Sequence, residues 1–269
     1  MEFDDVMTRR RLLALGAAGL GALAVGDAGR ETTTPARPLA RRRAVIRATG
    51  TAPKQHRRVR PKPAGPVPAR ANAVHQLHDL FPTAPRNAIA LTIDDGPQPE
   101  WTPRMLDLLA EFEVKATFSL IGIQVKQFPR LAERIVQAGH QLCNHTMTHP
   151  LDIASLSKRK VDREITEAHD RIGDATGIAP KFFRSPGGAW SHTIYHSAAR
   201  HGMIPIDWDI DPRDWARPGT GHIKRAMLKA KGGDILLCHD GGGDRSETIK
   251  ALRKVIPGLK KRGLAFVAL

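Results

Sequence analysis

Two adjacent carboxylates, Asp94 and Asp95, end a short apolar run and are followed by Gly96-Pro97. Neighbouring side chains on a strand point to opposite faces, so both acids can reach one site only where the strand ends. The alternative is a simple turn that carries two solvated acids. The pair is therefore a candidate for chemistry only if other reactive groups lie near it.

Two histidines four residues apart, His145 and His149, follow another apolar run. Imidazoles at this spacing meet on one helical face and can chelate a divalent metal ion. Asp95 could complete a site of two histidines and one aspartate, which would leave open positions for water and substrate. A second pair with the same spacing, His192 and His196, lies inside an amphipathic helical pattern, and we interpret it as a helix face.

Three further segments carry reactive groups in a fixed order along the chain. Residues 183–188 run from a short strand into a tight turn, with Arg184 at the strand end. Residues 211–215 place an acid and an indole after the next strand, and residues 237–243 end a strand with His239 and a glycine-rich loop. Each segment alone supports a site only weakly, but their order is specific.

Short apolar runs alternate with amphipathic runs from residue 87 onward, which predicts a single α/β domain with a parallel sheet, open or closed into a barrel. The strands are predicted at residues 88–93, 116–121, 141–145, 181–184, 204–208, 234–239 and 264–269. The helices are predicted at residues 103–113, 129–138, 156–176, 191–201, 221–231 and 246–262. Polar residues fall at the carboxyl ends of the strands, the edge where parallel α/β proteins carry their active sites. They are Asp94, Asp95, His145, Arg184, Asp209 and His239.

This order of motifs resembles that of the polysaccharide deacetylases, the NodB-homology carbohydrate esterases. The resemblance covers roughly residues 85–269 and includes all five motifs of the family. It implies a distorted, incomplete (β/α) barrel of about seven parallel strands, in a domain at residues 74–269. It also implies a metal-dependent hydrolase that removes acetyl groups from N-acetylated amino sugars of an extracellular polysaccharide, of peptidoglycan or chitin type.

The resemblance also implies roles for individual residues. Asp94 would be the general base, held by Arg184, and His239 the general acid, oriented by Asp214. The ligands of one divalent metal ion, with zinc first and cobalt or nickel as alternatives, would be Asp95, His145 and His149. The oxyanion and acetyl pocket would be formed by Gly187, Trp215 and Leu237.

One position departs from the family pattern. The family often has an aromatic residue where Gly187 stands. A glycine N–H can still donate to an oxyanion, so the chemistry is expected to survive. The contact that the aromatic ring would make with the substrate is absent.

The formal net charge of +15 is concentrated in one segment. Residues 28–73 carry twelve Lys or Arg against the single acid Glu31 and are rich in Pro and Ala, which predicts a disordered basic linker. A solvated spacer, or contact with an anionic cell-wall polymer or lipid headgroups, is favoured over nucleic acid, because no aromatic residues are interleaved with the arginines.

Residues 1–27 predict an export signal. An arginine triplet at residues 9–11 precedes an apolar run over residues 12–26, which is short for a membrane span but suits a signal-peptide core. The Gly/Ala-rich run after paired arginines resembles a twin-arginine signal, and an ordinary secretory signal or an uncleaved anchor helix are the alternatives. In each case we expect an exported protein, extracellular or cell-wall associated.

Two alternatives to an N-deacetylase remain open. An O-deacetylase such as an acetylxylan esterase would use the same site on esters. A non-catalytic cell-wall-binding protein is the alternative of another class, although such a protein would be expected to have lost some of the reactive residues. The expected partner is an acetylated polysaccharide, and the chain is expected to be a monomer.

The two cysteines are predicted to be unbridged. Cys143 lies two residues before His145 and so shares its strand face, whereas Cys238 directly precedes His239 and points the opposite way. Thiols on opposite faces of a sheet cannot meet.

Overall fold

The computed structural model describes residues 65–269, so the predicted export signal and most of the predicted linker lie outside the described residues. The described residues contain seven strands, and every strand pairing is parallel. The strands are β1 (Ala88–Gly96), β2 (Thr117–Leu120), β3 (Gln141–Asn144), β4 (Phe182–Phe183), β5 (Ile204–Pro205), β6 (Ile235–His239) and β7 (Ala265–Val267). They confirm the predicted strands, although β4 and β5 are shorter than predicted.

The sheet has the order β5-β4-β3-β2-β1-β6, and β7 pairs with the first residues of β1. An isolated parallel bridge joins Ile210, which follows β5, to Leu236 in β6 at the other end of this order. The sheet therefore curls into a half-barrel. This architecture confirms the predicted distorted and incomplete (β/α) barrel.

Eight α-helices are found among residues 65–269. They are α1 (Leu77–Leu80), α2 (Trp101–Glu111), α3 (Gly122–Gln127), α4 (Pro129–Gln137), α5 (Lys158–Thr176), α6 (His192–Arg200), α7 (Thr220–Met227) and α8 (Ser246–Lys261). The six longest match the predicted helices within a few residues. The sequence prediction lacks α1 and α3, because four and six residues are too few to show an amphipathic stripe. No helix in this part of the chain is long and apolar enough to cross a bilayer.

Strand β1 shows how the fold positions reactive groups. Three alternate side chains of β1 pack with the helices in the main hydrophobic core: Ile89, Leu91 and Ile93. Ala88 and Ala90 belong to a second cluster, on the opposite face of the sheet. Because side chains alternate along a strand, Thr92 and Asp94 share that second face. Along this face of β1 the alanines therefore come first, and Thr92 and Asp94 follow toward the carboxyl end of the strand.

Cys143 and Cys238 are both free and buried. Cys143 packs in the second cluster, whereas Cys238 packs in the main core. The two thiols lie on opposite faces of the sheet, which confirms the prediction that they are unbridged.

Candidate active site

Asp95, His145 and His149 converge at the carboxyl end of the sheet. One donor atom from each lies within 4.8 Å of the donor atoms of the other two. Asp95 Oδ1 is 3.2 Å from His149 Nε2 and 3.6 Å from His145 Nε2. That oxygen is nevertheless buried and accepts no hydrogen bond from any residue that the structure describes. A buried carboxylate oxygen without a donor needs another partner, and a divalent cation fits that need.

The chemistry of these three side chains also fits a divalent metal ion. His145 Nδ1 is 2.8 Å from the backbone carbonyl of Arg184, which fixes the ring and leaves Nε2 for a ligand. Burial lowers the pKa of His145 and so favours the neutral imidazole that binds a metal. Two imidazoles and one carboxylate are three protein ligands, the number typical of a catalytic site that keeps an open position. The residues present therefore fit the predicted divalent ion.

The backbone around these ligands adopts left-handed conformations. Asp95, Thr146 and His149 have φ values of 76°, 67° and 62°. Non-glycine residues rarely adopt this region, and each such residue costs about 1–3 kcal/mol. At Asp95 the left-handed turn ends the alternation of β1, so that Asp94 and Asp95 both reach the cleft. The strand end is therefore where the two acids meet, as the sequence required.

Asp94 is paired with Arg184 beneath the metal donors. Arg184 is fully buried, and its Nη1 donates to Asp94 Oδ1 over 2.8 Å. Nη1 also donates to Thr92 Oγ1, and Nη2 donates to the backbone carbonyl of Asp207, each over 2.8 Å. Burial, the largest single effect, would raise the pKa of Asp94, but the charges of Arg184, His145 and His239 together outweigh it and lower the pKa below the ordinary 3.8. Asp94 is therefore an ionised carboxylate held in one orientation.

His239 is paired with Asp214 at the end of β6. The ring nitrogen His239 Nδ1 is 2.7 Å from Asp214 Oδ1. Asp214 Oδ2 accepts a hydrogen bond from the backbone N–H of His239 at 3.0 Å and another from Thr248 Oγ1 at 2.8 Å. Burial alone would lower the pKa of His239. The hydrogen bond and charge of Asp214, with the charges of Asp95 and Asp94, instead raise it to about 9. The imidazole is therefore protonated at neutral pH and able to donate a proton.

Two buried ionisable side chains beside these pairs are missing from the sequence prediction. Arg245 donates from Nε to the Gly241 carbonyl over 2.6 Å and from Nη1 to the Asp214 carbonyl over 3.2 Å. It therefore ties the glycine-rich loop to the turn that carries Asp214. Asp240 accepts a hydrogen bond of 2.6 Å from Thr102 Oγ1, and burial raises its pKa to about 7. Their only sequence signal is their place in and after the glycine-rich loop.

The reactive groups open into a cleft of about 670 Å³. Arg184 and Asp214 lie buried behind the groups that they hold. The other predicted site residues line the cleft: Asp94, Asp95, His145, His149, Gly187, Trp215, Leu237 and His239. Gly187 has a φ of 61°, which strains any residue with a Cβ, and the nearest side-chain atom to a Cβ there would be Leu151 Cδ2 at 3.7 Å. Glycine therefore leaves this wall of the cleft open as far as Leu151.

One predicted edge residue lies elsewhere. Asp209 is exposed, its N–H donates to the Ile235 carbonyl over 2.9 Å, and its carboxylate accepts from the Ile235 N–H over 3.3 Å. Ile235 begins β6, so Asp209 lies at the opposite end of that strand from His239, and the prediction is wrong. The cause is that β5 ends early and the chain then crosses to the start of β6. Asp207, not Asp209, lies beside Arg184.

His192 and His196 lie exposed on α6 with ring centroids 4.1 Å apart. Neither lines the cleft. Their interpretation as a helix face is confirmed, and the pair at His145 and His149 is the one that meets a carboxylate.

Metal-assisted hydrolysis of an amide or ester uses a base, an acid and a Lewis acid around one scissile bond, and this cleft offers residues for the base, the acid and the metal ligands. The fold and the site together place the protein in the class of metal-dependent hydrolases.

Comparison with known proteins narrows this class to a family. A family model described as polysaccharide deacetylase matches residues 82–206. A peptidoglycan-N-acetylglucosamine deacetylase of Bacillus cereus is 42% identical over 182 residues, which are 66% of this chain and 84% of that protein. A chitooligosaccharide deacetylase of Sinorhizobium fredii is 40% identical over 202 residues, 69% of this chain and 94% of that protein. The chain belongs to the polysaccharide deacetylase family.

A solved structure is similar to this chain as well. The crystal structure of a peptidoglycan N-acetylglucosamine deacetylase, in complex with a benzamide compound, has a TM-score of 0.68 and 33% sequence identity. The similarity covers 73% of this chain and 90% of that one. The likeness therefore extends over nearly the whole of that catalytic chain.

Proposed function

We propose that the protein removes acetyl groups from N-acetylated amino sugars of an extracellular polysaccharide, of peptidoglycan or chitooligosaccharide type. The observation that carries the proposal is that Asp94 and His239 line one cleft with the metal donors. Hydrolysis of an acetamide needs a base for the attacking water and an acid for the departing nitrogen. Relatives named as deacetylases of peptidoglycan N-acetylglucosamine and of chitooligosaccharides support the same reaction here.

Asp94 acts as the general base in this mechanism. Arg184 holds Asp94 Oδ1 and keeps the carboxylate ionised, while Asp94 Oδ2, 3.8 Å from His145 Nε2, takes the proton of the attacking water. Asp95, His145 and His149 would hold a divalent ion, with zinc first and cobalt or nickel as alternatives, and this ion would supply polarisation of the acetyl carbonyl and a lower pKa of water.

The walls of the cleft position the acetyl group. The Gly187 N–H donates to the oxyanion of the tetrahedral intermediate, an interaction worth about 3–4 kcal/mol in comparable sites. Trp215 and Leu237 contact the acetyl methyl group. Because Gly187 lacks a side chain, the wall beside the oxyanion is formed by backbone.

His239 acts as the general acid. An amine leaves poorly as an anion, so the nitrogen must be protonated as the C–N bond breaks. Asp214 accepts from His239 Nδ1 and so directs Nε2, the proton-donating atom, away from itself. The raised pKa of His239 keeps this proton in place at neutral pH.

We also propose that the protein is exported and acts outside the cell, extracellularly or on the cell wall. The twin-arginine-like residues 1–27 and the polysaccharide substrate support this location. The basic residues 28–73 then tether the enzyme to an anionic cell-wall polymer or to lipid headgroups through charge attraction. Such a tether would weaken with rising salt concentration.

The experiment that tests the proposal measures acetate release by the full chain from chitooligosaccharides, peptidoglycan and acetylxylan in parallel. The proposal expects release from one or both of the N-acetylated substrates. Release from acetylxylan alone would indicate an O-deacetylase instead. No release from any substrate by the metal-loaded protein would indicate a non-catalytic wall-binding protein.

A further inference from the structure

Positive charge in the folded part of the chain is concentrated near its C-terminal end. Residues 217–262 carry twelve Lys or Arg against four Asp or Glu, a net charge of +8. Residues 74–216 carry fifteen against eighteen, a net charge of −3. The basic segment contains α7 and α8, so its charge is separate from that of residues 28–73. Such a separation of charge within one domain produces a local field that attracts anions.

Helix α8 presents a row of three lysines to solvent. Lys250, Lys254 and Lys261 are all exposed, and spacings of four and seven residues place them on one face of the helix. The opposite face of α8 is apolar and packs in the main hydrophobic core, through Ala251, Leu252, Val255, Ile256 and Leu259. The row therefore points away from the core.

The charges of this row are not neutralised by neighbouring residues. Two other basic residues of the same region do have partners, since Arg253 Nη1 donates to Glu111 Oε2 over 2.6 Å and Arg262 Nη2 donates to the Ala230 carbonyl over 2.9 Å. None of the three lysines forms a salt bridge with a carboxylate of residues 65–269. Three of the four acids in the segment instead accept hydrogen bonds from backbone N–H groups: Asp234, Asp244 and Glu247.

Helix α7 adds further exposed basic residues beside the row. The two helices pack together, and a Cβ added at Gly258 in α8 would lie 3.0 Å from Leu228 Cδ2, directly after α7. Arg225 in α7 and Lys229 just after it are both exposed. We call these five exposed residues the basic face: Arg225, Lys229, Lys250, Lys254 and Lys261.

The composition around the basic face indicates what it can bind. Residues 217–262 contain no Phe, Trp or Tyr, so the face offers no ring on which a nucleic-acid base could stack. The large apolar side chains that are exposed within residues 65–269 all lie outside α7 and α8, so the face has no apolar group to insert into a lipid layer. A flexible, strongly hydrated polyanion needs only charge, which the lysines supply.

We infer that the basic face binds an anionic polymer that repeats phosphate groups. At 1.5 Å per residue, the row from Lys250 to Lys261 is about 16 Å long. A single phosphate cannot contact the whole row, whereas a polymer can place one anionic group at each lysine. No residue of the basic face lines the cleft, so a polymer bound there leaves the cleft open. The inference goes beyond the proposed deacetylase function and does not depend on it.

The test measures binding of the full chain to immobilised long-chain inorganic polyphosphate over a range of salt concentrations. The face variant combines Lys250→Gln, Lys254→Gln and Lys261→Gln. The matched control combines Lys158→Gln, Arg159→Gln and Lys160→Gln, which removes the same charge from exposed residues at the start of α5. Both variants keep residues 28–73, so any binding by that segment is the same in each. Thermal unfolding verifies that both variants are folded.

We expect the affinity of the face variant for polyphosphate to fall about 10²-fold at about 0.15 M salt, since each lysine near an anionic surface contributes about 1 kcal/mol. The slope of the logarithm of affinity against the logarithm of salt concentration is expected to become shallower by about 2. We expect the control to fall by less than about threefold, because charges far from the polymer are screened. Bound polyphosphate is also expected to protect the three α8 lysines, but not Lys158 or Lys160, from an amine-acylating reagent followed by mass spectrometry.

Several results would overturn the inference. Absence of polyphosphate binding by the wild type would do so, as would an equal loss in both variants or an unchanged affinity in the face variant. The same holds if the face variant keeps its affinity for polyphosphate and loses affinity only for vesicles of phosphatidylcholine and phosphatidylglycerol, or only for duplex DNA, since the partner would then be a membrane or a nucleic acid. None of these results bears on acetate release, so the proposed deacetylase function is tested separately.

Discussion

The replacement of Asp214 by asparagine tests how the proposed general acid is tuned. The variant keeps the shape of the side chain and removes its charge. In the wild type the Asp214 carboxylate accepts three hydrogen bonds, from His239 Nδ1, the backbone N–H of His239 and Thr248 Oγ1. Asparagine has one acceptor oxygen, so its amide nitrogen must face at least one of these donors. The imidazolium form of His239 then loses its main stabilising partner.

The size of the effect follows from the pKa of His239. This pKa is about 9 against an ordinary 6.5, a difference that corresponds to about 3 kcal/mol in favour of the protonated ring. Asp214 is the foremost of the groups that raise it, so Asp214→Asn is expected to return the pKa to near or below 6.5. General acid catalysis contributes about 10²–10⁴-fold, and we expect kcat/KM at mildly alkaline pH to fall within that range.

The same pKa predicts how stability depends on pH. Because the folded state binds the proton of His239 more tightly than the unfolded state, the stabilisation is fully present below about pH 6.5. It is lost as the pH rises through about 9. In Asp214→Asn the difference in unfolding free energy between these pH values is expected to shrink.

The assay is the pH profile of kcat/KM for acetate release, with unfolding free energies measured at the same pH values. The alkaline limb of the profile is expected to move to lower pH in Asp214→Asn. Asp244→Asn is the matched control, since Asp244 is exposed in the loop after His239, accepts a hydrogen bond from the Ser246 N–H and contacts neither His239 nor Asp214. An alkaline limb unchanged in folded Asp214→Asn would refute the assignment of His239 as the acid that Asp214 tunes.

Three further predictions concern the fold and the metal. Arg184→Met leaves Asp94 as a buried charge without its partner, so we expect the unfolding free energy in a denaturant titration to fall by about 3–5 kcal/mol. A fall of less than about 1 kcal/mol would contradict the assigned pairing of Arg184 with Asp94. The double variant His192→Ala, His196→Ala is expected to keep the metal content of the wild type in elemental analysis. Loss of metal from this variant would show that His192 and His196 bind the ion and would contradict the assigned ligands. Gly241→Ala would place a Cβ 2.2 Å from the backbone carbonyl oxygen of Asp95, so we expect this variant to have a reduced metal content and a lower melting temperature. If both values are unchanged, the glycine-rich loop can shift freely and the expectation is wrong.

The sequence predicts the sheet and the metal donors well, for a physical reason. The strands of a parallel sheet place their carboxyl ends at one edge, so the topology brings the ends of β1 and β3, which carry Asp95 and His145, to the same edge. The alternation of side chains then predicts which face each cysteine occupies. Both inferences need only local patterns and the topology of a parallel α/β fold.

The features that the sequence does not predict depend on contacts between distant segments. Arg245 acts on a turn about thirty residues earlier, and its only local signal is its place after a glycine-rich loop. Asp209 follows an apolar run and so resembles a strand-end residue, but the early end of β5 sends it to the other end of the barrel. α3 is too short for a periodic pattern, yet it presents Ile123 to the cleft.

The most direct test of the proposed mechanism is acetate release from N-acetylglucosamine oligosaccharides by Asp94→Asn, with metal content measured in the same sample. We predict that the wild type loses activity on chelation and regains it on addition of a divalent metal ion. We predict that Asp94→Asn still holds the metal but loses at least about 10²-fold in kcat, because no group takes the proton of the attacking water. Near-wild-type acetate release by metal-loaded Asp94→Asn would contradict the assignment of Asp94 as the base and the mechanism that depends on it.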